Sequence, residues 1–371
     1  MQPIRVLQVF TILNRGGAEA NIMNYYRNID TTKIHFDFLV HRQEEGVFEK
    51  EIEQLGGKVF RLPAVNPLNL KDYKKAVKDF FDSHPDYQIV HGQLSELGVF
   101  IYEEAKKRKI PIIIAHAHNS KMSWDIKAPF RFWWKSRMKK SINTYFTCGI
   151  DSAKWLFGEK LAEKAYSMNN AVSVSKFQFK PEIRQKLRTD LGSENTINIV
   201  NVARFNKQKN HIFLLEVFAE VLKQKSNYHL YLVGEGGLKE DIINKIDELG
   251  IKEKVTLLGV RNDVEILLQA MDIYFFPSLF EGLPVSLIEA QASGIKCIIS
   301  DGIPEEAVLV NDNVEVISLQ KPKEFWAERI IENSTYERKD VSDIIKQKGY
   351  DIAENAKSLE IKYTELLQNL S

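Results

Sequence analysis

The 371-residue chain has almost no cysteine: Cys148 and Cys297 stand alone. Two thiols exclude a disulfide framework and a cysteine-built zinc site, and they fit a reducing cytoplasm. Also missing is any run approaching the ~18 apolar residues that a membrane-crossing helix needs. Residues 6–13 are mostly apolar, but no basic region precedes them, Gln8 interrupts them and no small-residue cleavage site follows. They are expected to form a first buried strand, not a secretion signal. Neither sign of charge is in excess. Lys plus Arg number 51 against 50 for Asp plus Glu, a balance that argues against general nucleic-acid binding. Low-complexity stretches and short repeats are absent. What remains, with 44% hydrophobic and 27% charged residues, is an ordinary globular composition long enough for about two domains.

The chain has a clear rhythm. Strands are predicted at 4–11, 36–40, 59–62, 89–91, 112–116 and 145–148, with helices at 18–27, 47–55, 70–84, 96–108 and 130–140. After a break between about 169 and 192 the rhythm restarts. Strands follow at 198–203, 229–233, 255–258, 273–277 and 296–300, with helices at 212–224, 239–249, 263–271 and 285–292. Strands alternating with helices imply parallel sheets covered on both faces. The expected fold class is therefore α/β, with two Rossmann-like doubly wound domains facing each other across a cleft. Ligands of such sheets bind outside the carboxyl ends of the strands. The expected division is 1–170, 171–351, and a C-terminal helix in 352–371 that packs back on the first domain.

The richest stretch runs from Pro277 to Ala290. A strand ends at Pro277, a loop carries Glu281, Gly282 and Leu283, and Pro284 suits the first position of a helix. The amides of Gly282, Leu283 and Val285 then lie near the positive end of the helix, a ready anion site. Glu281 before the helix and Glu289 within it could accept hydrogen bonds from sugar or ribose hydroxyls. A capped helix with two solvated glutamates has the same spacing. Arg204 and Lys209 follow the first strand of the second half, at the sheet's carboxyl edge, where cations can face a phosphate. Lys207 between them reads as solvated.

Gly16 and Gly17 follow the opening strand and allow close backbone approach to a ligand, or simply a tight connection. Gly234, Gly236 and Gly237 suggest a dinucleotide fingerprint, but Lys239 stands where the third glycine belongs and the turn follows the wrong strand. His116 and His118 end a strand and share a side by alternation. No third ligand lies near them in sequence, so a metal is not expected. From Lys121 to Lys140 seven cations accompany one acid, interleaved with Trp124, Phe130, Phe132, Trp133 and Trp134. Such a segment suits contact with an anionic membrane surface through Trp124, Phe130, Arg131, Trp133, Trp134, Lys135, Arg137, Lys139 and Lys140. The alternative is a helix whose Phe132, Trp133 and Met138 face the core.

In this order these residues resemble glycosyltransferase family 4, whose members have the two-Rossmann-domain fold called GT-B. The resemblance covers nearly the whole chain, is strongest from Asn198 to Asp301, and looks especially like bacterial capsule and exopolysaccharide members. It implies transfer from a nucleotide diphosphosugar, with a uridine diphosphate donor expected, retention of configuration, and no cofactor or metal. It places Glu281 on the donor sugar, Glu289 on the ribose, and Arg204 and Lys209 on the diphosphate. Gly259, Val260 and Arg261 fall in the segment that holds the nucleobase, and Gly282, Leu283, Pro284 and Val285 in the donor loop. Gly16 and Gly17 match the family's N-terminal glycine loop, Asn170 its Asn-Gly linker position, and His118 a histidine at the reacting centre. Ala203 and Asn210 stand where glycines are usual, and Ala171 departs from the linker pattern. The expected partners are the nucleotide sugar, a lipid-linked oligosaccharide acceptor and the inner face of the plasma membrane. A nucleotide-sugar epimerase, or a non-catalytic nucleotide-sugar-binding subunit, shares the architecture and stays open.

Overall fold

The computed structural model describes residues 3–14, 16–65, 69–118 and 128–369, with backbone alone for 128–130. The chain forms two compact units. One holds the residues up to Ala171 together with those from Ile352 onward, and the other is Val172–Asp351.

The first unit has a seven-stranded sheet among the described residues, built from β1 (Ile4–Phe10), β2 (Ile34–Val40), β3 (Val59–Arg61), β4 (Ile89–Gly92), β5 (Ile112–Ala117), β6 (Thr144–Thr147) and β7 (Tyr166–Ser167). All pairings are parallel, in the order β3-β2-β1-β4-β5-β6-β7. Helices cover both faces, so β5 is buried at every residue, which is why such strands read as continuous apolar runs. The chain winds outward from β1 to β3, then returns to place β4 on the other side of β1. That reversal opens a crevice beyond the carboxyl ends of β1 and β4. The last helix, Ile352–Gln368, belongs to this unit. Its Ile352, Ala356, Leu359 and Tyr363 recur at helical spacing and are buried beside the helix Gly17–Tyr26, whereas Ile361 on the same helix is exposed.

The second unit repeats the plan with β8 (Ile197–Val202), β9 (Tyr228–Val233), β10 (Val255–Gly259), β11 (Ile273–Phe276), β12 (Lys296–Ser300) and β13 (Val314–Ile317). Their order is β10-β9-β8-β11-β12-β13, all parallel, so the reversal falls between β8 and β11. Strand β13 and the helix Lys323–Glu332 were not expected from sequence. The strand is short, buried at only two of its four residues and at the sheet edge; the helix is held by Trp326, fully buried against Phe213 and Phe275.

The break leads at Pro181 into a charged helix, as its sequence implies. Helix Pro181–Asp190 sends Arg184 and Arg188 to the carboxyl end of helix Val264–Ala270. Arg184 donates to the carbonyls of Gln269 and Met271, Arg188 to that of Ala270 (3.1 Å), and Arg338 to that of Leu268 (2.8 Å). A helix end has unsatisfied carbonyls and partial negative charge, so it is a natural seat for guanidinium groups. Asp272 pairs with both Arg184 and Arg188. Arg338 is enclosed enough that burial pushes its guanidinium down to about 9. Among the described residues no helix is long and apolar enough to cross a membrane.

Candidate active site

The order of the second sheet brings the loops after β8 and β11 together. Asn206 accepts the Lys209 amide on its side-chain oxygen (3.2 Å), forming a tight turn that ends at Asn210 in the left-handed region (φ 57°). Asparagine tolerates that conformation better than most non-glycine residues, which accounts for Asn210 where a glycine is usual. Its side chain donates to the Pro277 carbonyl (3.1 Å), the Leu279 amide donates to the Gln208 carbonyl (2.8 Å), and Gln208 Nε2 reaches the Phe280 carbonyl (2.9 Å). The two loops are therefore stitched through their backbones. Lys209 Nζ meets Glu281 Oε1 at 2.6 Å and lies 4.8 Å from the Phe276 ring centre. Both side chains are largely shielded, with exposures of 17% and 6%, so water screens the pair little. This qualifies the sequence expectation, which gave Lys209 and Glu281 separate tasks. Here the charge of Lys209 is already matched, whereas Arg204 and Lys207, exposed on the same loop, have no side-chain partner among the described residues.

Helix Val285–Ala292 has the expected bounds, and buried Pro284 is the residue before it rather than its first. The amides of Leu287 and Ile288 close back on the Pro284 carbonyl, and Gly282 faces open space. Leu283 packs against the unit's core. Inside the helix Glu289 is half-buried and has no hydrogen-bond partner among the described residues. Burial, helped by the charge of Glu265, pushes its carboxyl up to about 8. The hydroxyl of Tyr274, buried beneath the helix start, donates to Ser286 Oγ (2.9 Å). At the end of β10, Gly259 takes φ 63° and accepts the Gly234 amide (2.8 Å); Val260 is exposed and Arg261 forks onto Asp263 (2.8 and 2.5 Å). Gly234 has φ 140°, and a Cβ there would strike the Ala203 carbonyl, as one on Gly236 would strike that of Phe205, so these two glycines serve the packing of the loop on the β8 turn.

In the first unit Gly16 precedes helix Gly17–Tyr26 and Asn170 lies half-buried after β7. His118 follows β5 directly, with its ring stacked on His116 (centres 4.1 Å apart) and Nε2 at 2.6 Å from Gln93 Oε1. Burial pushes His118 down to about 4, so its imidazole is neutral at pH 7. A third histidine, His91, does join the pair, which sequence spacing had not suggested. Its Nε2 faces His116 Nδ1 at 3.2 Å with the rings stacked, an arrangement that shares a hydrogen rather than converging on an ion. Among the described residues no group of three or more His, Cys, Asp or Glu is set to hold a metal.

A family model for the group 1 glycosyl transferases matches residues 181–349, the span that holds the whole β8–β11 constellation. Along nearly its full length the chain is 31% identical to EpsF of Bacillus subtilis (strain 168), which carries a provisional glycosyltransferase name; the alignment, 370 positions long, covers 96% of this chain and 95% of that protein. This chain belongs to the group 1 glycosyltransferases. A more distant relative of this glycosyltransferase, 27% identical over 229 residues (58% of each chain), is the Escherichia coli UDP-Gal:alpha-D-GlcNAc-diphosphoundecaprenol alpha-1,3-galactosyltransferase. The fold of this chain matches that of Anabaena Alr3699/HepE, solved in complex with UDP, with a TM-score of 0.74 at 17% identity over 99% of this chain and 98% of that one. The two parallel α/β sheets are thus those of the GT-B architecture.

The basic aromatic segment of the glycosyltransferase is only partly as expected. Trp124 and the Phe130 side chain lie outside the described residues. In helix Ala128–Met138, Trp133 is 54% and Phe132 47% exposed, while Met138 is fully buried. Trp134 is corrected: it turns inward, edge-on to Phe100 (5.9 Å), because the helix face opposite Trp133 must pack on the core. Lys135 and Arg137 are corrected as well. Lys135 is bonded to the Trp155 carbonyl, with its ammonium 4.3 Å from that ring centre, and Arg137 grips Glu103 (2.8 and 2.6 Å). Arg131 and Lys139 are half-buried and Lys140 is exposed. Residues the sequence did not single out include Gln208, which bridges the two loops, and Gln93, which holds His118. Only a polar residue at a strand's carboxyl end, an ordinary event, signals Gln93.

Proposed function

We propose that this glycosyltransferase moves a hexose from a uridine diphosphate sugar to a lipid-linked oligosaccharide during surface polysaccharide synthesis, with retention of configuration and without a metal. The observation that carries this reading is the β8–β11 junction, which gathers Arg204, Lys209, Glu281, a helix start and Glu289 on one edge of one sheet. Cations and helix amides suit a diphosphate, and carboxyls suit sugar and ribose hydroxyls. The UDP complex of the Anabaena protein supports the donor, and the diphosphoundecaprenol substrate of the E. coli relative supports the acceptor.

In the proposed step the acceptor oxygen bonds to the anomeric carbon as the bond from that carbon to the phosphate oxygen breaks. The acceptor proton passes to the departing phosphate oxygen on the same face, and nucleoside diphosphate leaves. Negative charge grows on the diphosphate only as that bond breaks, so Arg204, Lys209 and the amides of Gly282, Leu283 and Val285 act mainly in the transition state. Glu281 meets the donor sugar and Glu289 the ribose, while Gly259, Val260 and Arg261 frame the base. His118, uncharged at neutral pH, holds a sugar hydroxyl rather than acting as the main base. Phe132, Trp133, Lys139 and Lys140 rest the enzyme on an anionic leaflet, which suits a lipid-linked acceptor.

The test is incubation with a panel of nucleotide sugars, with and without a lipid-linked acceptor, in the presence of a chelator. Sugar transfer that needs the acceptor and survives chelation is the expected result. Conversion of the donor without any acceptor would replace this reading with epimerisation, and loss of transfer restored by magnesium would refute the metal-free step.

A further inference from the structure

The first unit contains a buried chain of hydrogen bonds that the reading above does not use. Gln93 Nε2 donates to Gln8 Oε1 (2.9 Å), and Gln8 Nε2 donates to the Tyr363 hydroxyl (3.4 Å). That hydroxyl lies 2.7 Å from His91 Nδ1, and His91 Nε2 lies 3.2 Å from His116 Nδ1. Gln8, His91, Gln93, His116 and Tyr363 are all buried. They come from three strands or strand ends and from the last helix, up to 355 positions apart in sequence.

A neutral imidazole has one donor and one acceptor nitrogen, and a hydroxyl has one hydrogen to give. Since the Tyr363 hydroxyl accepts from Gln8, its own hydrogen goes to His91 Nδ1. His91 therefore carries its hydrogen on Nε2 and gives it to His116 Nδ1. His116 in turn carries its hydrogen on Nε2, a buried atom with no hydrogen-bond partner in the structure. At the other end Gln93 Oε1 accepts from His118 Nε2, so His118 retains Nδ1 as an acceptor. The opposite polarity is also self-consistent, but it requires both amides to turn over and all three imidazoles to change tautomer together. Both polarities leave His116 Nε2 without a partner; any mixture leaves a further buried group unpaired, at a cost of roughly 1–3 kcal/mol. The chain thus behaves as one unit. Burial keeps all three imidazoles uncharged at neutral pH, as that unit requires.

We propose that Tyr363, the single hydroxyl in this chain, joins Gln8 and Gln93 as a positioning residue that holds His118 in the Nε2–H tautomer, with Nδ1 free to accept a hydroxyl of the bound sugar. The part that concerns the sugar rests on the role given to His118 above; the tautomer does not. In this way the last helix, docked through Ile352, Ala356 and Leu359, is linked by side chains to the carboxyl edge of β5.

The test is two-bond proton–nitrogen correlation on the full chain with labelled histidine at pH 7, paired with donor kinetics. In the unmodified protein His91, His116 and His118 each show a single tautomer with the hydrogen on Nε2. Tyr363→Phe unlocks the chain, so His118 becomes a mixture and transfer slows on the order of tenfold, mostly in kcat. Adding Gln93→Glu to that variant restores the Nε2–H tautomer of His118, because a carboxylate can only accept. Gln8→Leu breaks the same chain one link away and serves if Tyr363→Phe does not fold. Hydrogen on Nδ1 of His118 in the unmodified protein, or an unmixed Nε2–H tautomer in both chain-breaking variants, overturns the proposal. Mixed tautomers with unchanged transfer overturn the role of His118 at the sugar and leave the chain standing.

Discussion

Replacing Glu289 with glutamine tests whether the β8–β11 junction is preorganised for a ligand. The carboxyl is half-buried, lacks a partner among the described residues, and is pushed up to about 8 from an ordinary 4.5, first by burial and then by Glu265. A folded-state value above the unfolded one means that the native protein holds this proton more tightly. Its favourable contribution is complete below about pH 4.5 and is lost as pH rises toward 8. About 2.5 pH units lie between the ordinary value and neutrality, and at about 1.4 kcal/mol per unit this amounts to roughly 3 kcal/mol. Residual solvent contact lowers that to roughly 1–3 kcal/mol. Glu289→Gln keeps the shape and removes the titration. Urea unfolding at pH 5 and pH 8 should show the unmodified protein losing that much more stability than the variant. Binding of free nucleotide to the unmodified protein at pH 7 should also release a proton, visible as a buffer-dependent heat, since ribose hydroxyls favour the ionised carboxyl. The variant should bind more weakly and release none. Equal pH dependence in the two proteins would mean that Glu289 is already ionised in the free site, and the reasoning would fail.

Three further outcomes follow from the same geometry. Arg204→Ala should slow transfer by ~100- to 1000-fold with a smaller change in nucleotide affinity, whereas Lys209→Ala should also leave Glu281 shielded without its counter-charge and lower the melting temperature; a modest loss of turnover in Arg204→Ala would show that the diphosphate is held elsewhere. Trp133→Ser combined with Lys139→Gln and Lys140→Gln should weaken co-sedimentation with anionic vesicles by roughly tenfold or more at low salt, at about 1 kcal/mol per cation, and leave donor binding intact; vesicle binding indifferent to both changes and salt would point to another surface. Asp272→Asn should destabilise the protein by several kcal/mol, roughly 3–5, because Arg184 and Arg188 would lose their shared counter-charge inside the core; a loss below about 1 kcal/mol in denaturant unfolding would show that the helix carbonyls alone suffice.

The alternation of strands and helices was legible because parallel strands buried on both faces must be apolar throughout, as β5 is. The short edge strand β13 was not, since half of its residues face away from the core and carry no pattern. In the site, Glu281, Glu289, Arg204 and Lys209 were visible as residue types at the ends of predicted strands. Which of them pair was not visible. Lys209 and Glu281 are 72 positions apart, and only the crossover that sets β11 beside β8 puts them in contact. The membrane segment shows the same limit on a helix. Composition gave its aromatics and cations, but the packed face took Trp134 and the neighbouring elements took Lys135 and Arg137.

Sequence alone determined the class of fold, the repeat of its plan and the chemical character of each loop, because these depend on local periodicity and on residue type at strand ends. Tertiary structure decided everything that depends on a neighbour: that Lys209 is neutralised by Glu281, that Glu289 is held as an acid, and that His118 is tied through Gln93 and Gln8 to Tyr363 on the last helix. A charge or a proton is placed by the groups within a few ångströms of it and by the water excluded around it. In a doubly wound sheet those groups arrive from distant parts of the chain, so no window of sequence contains them.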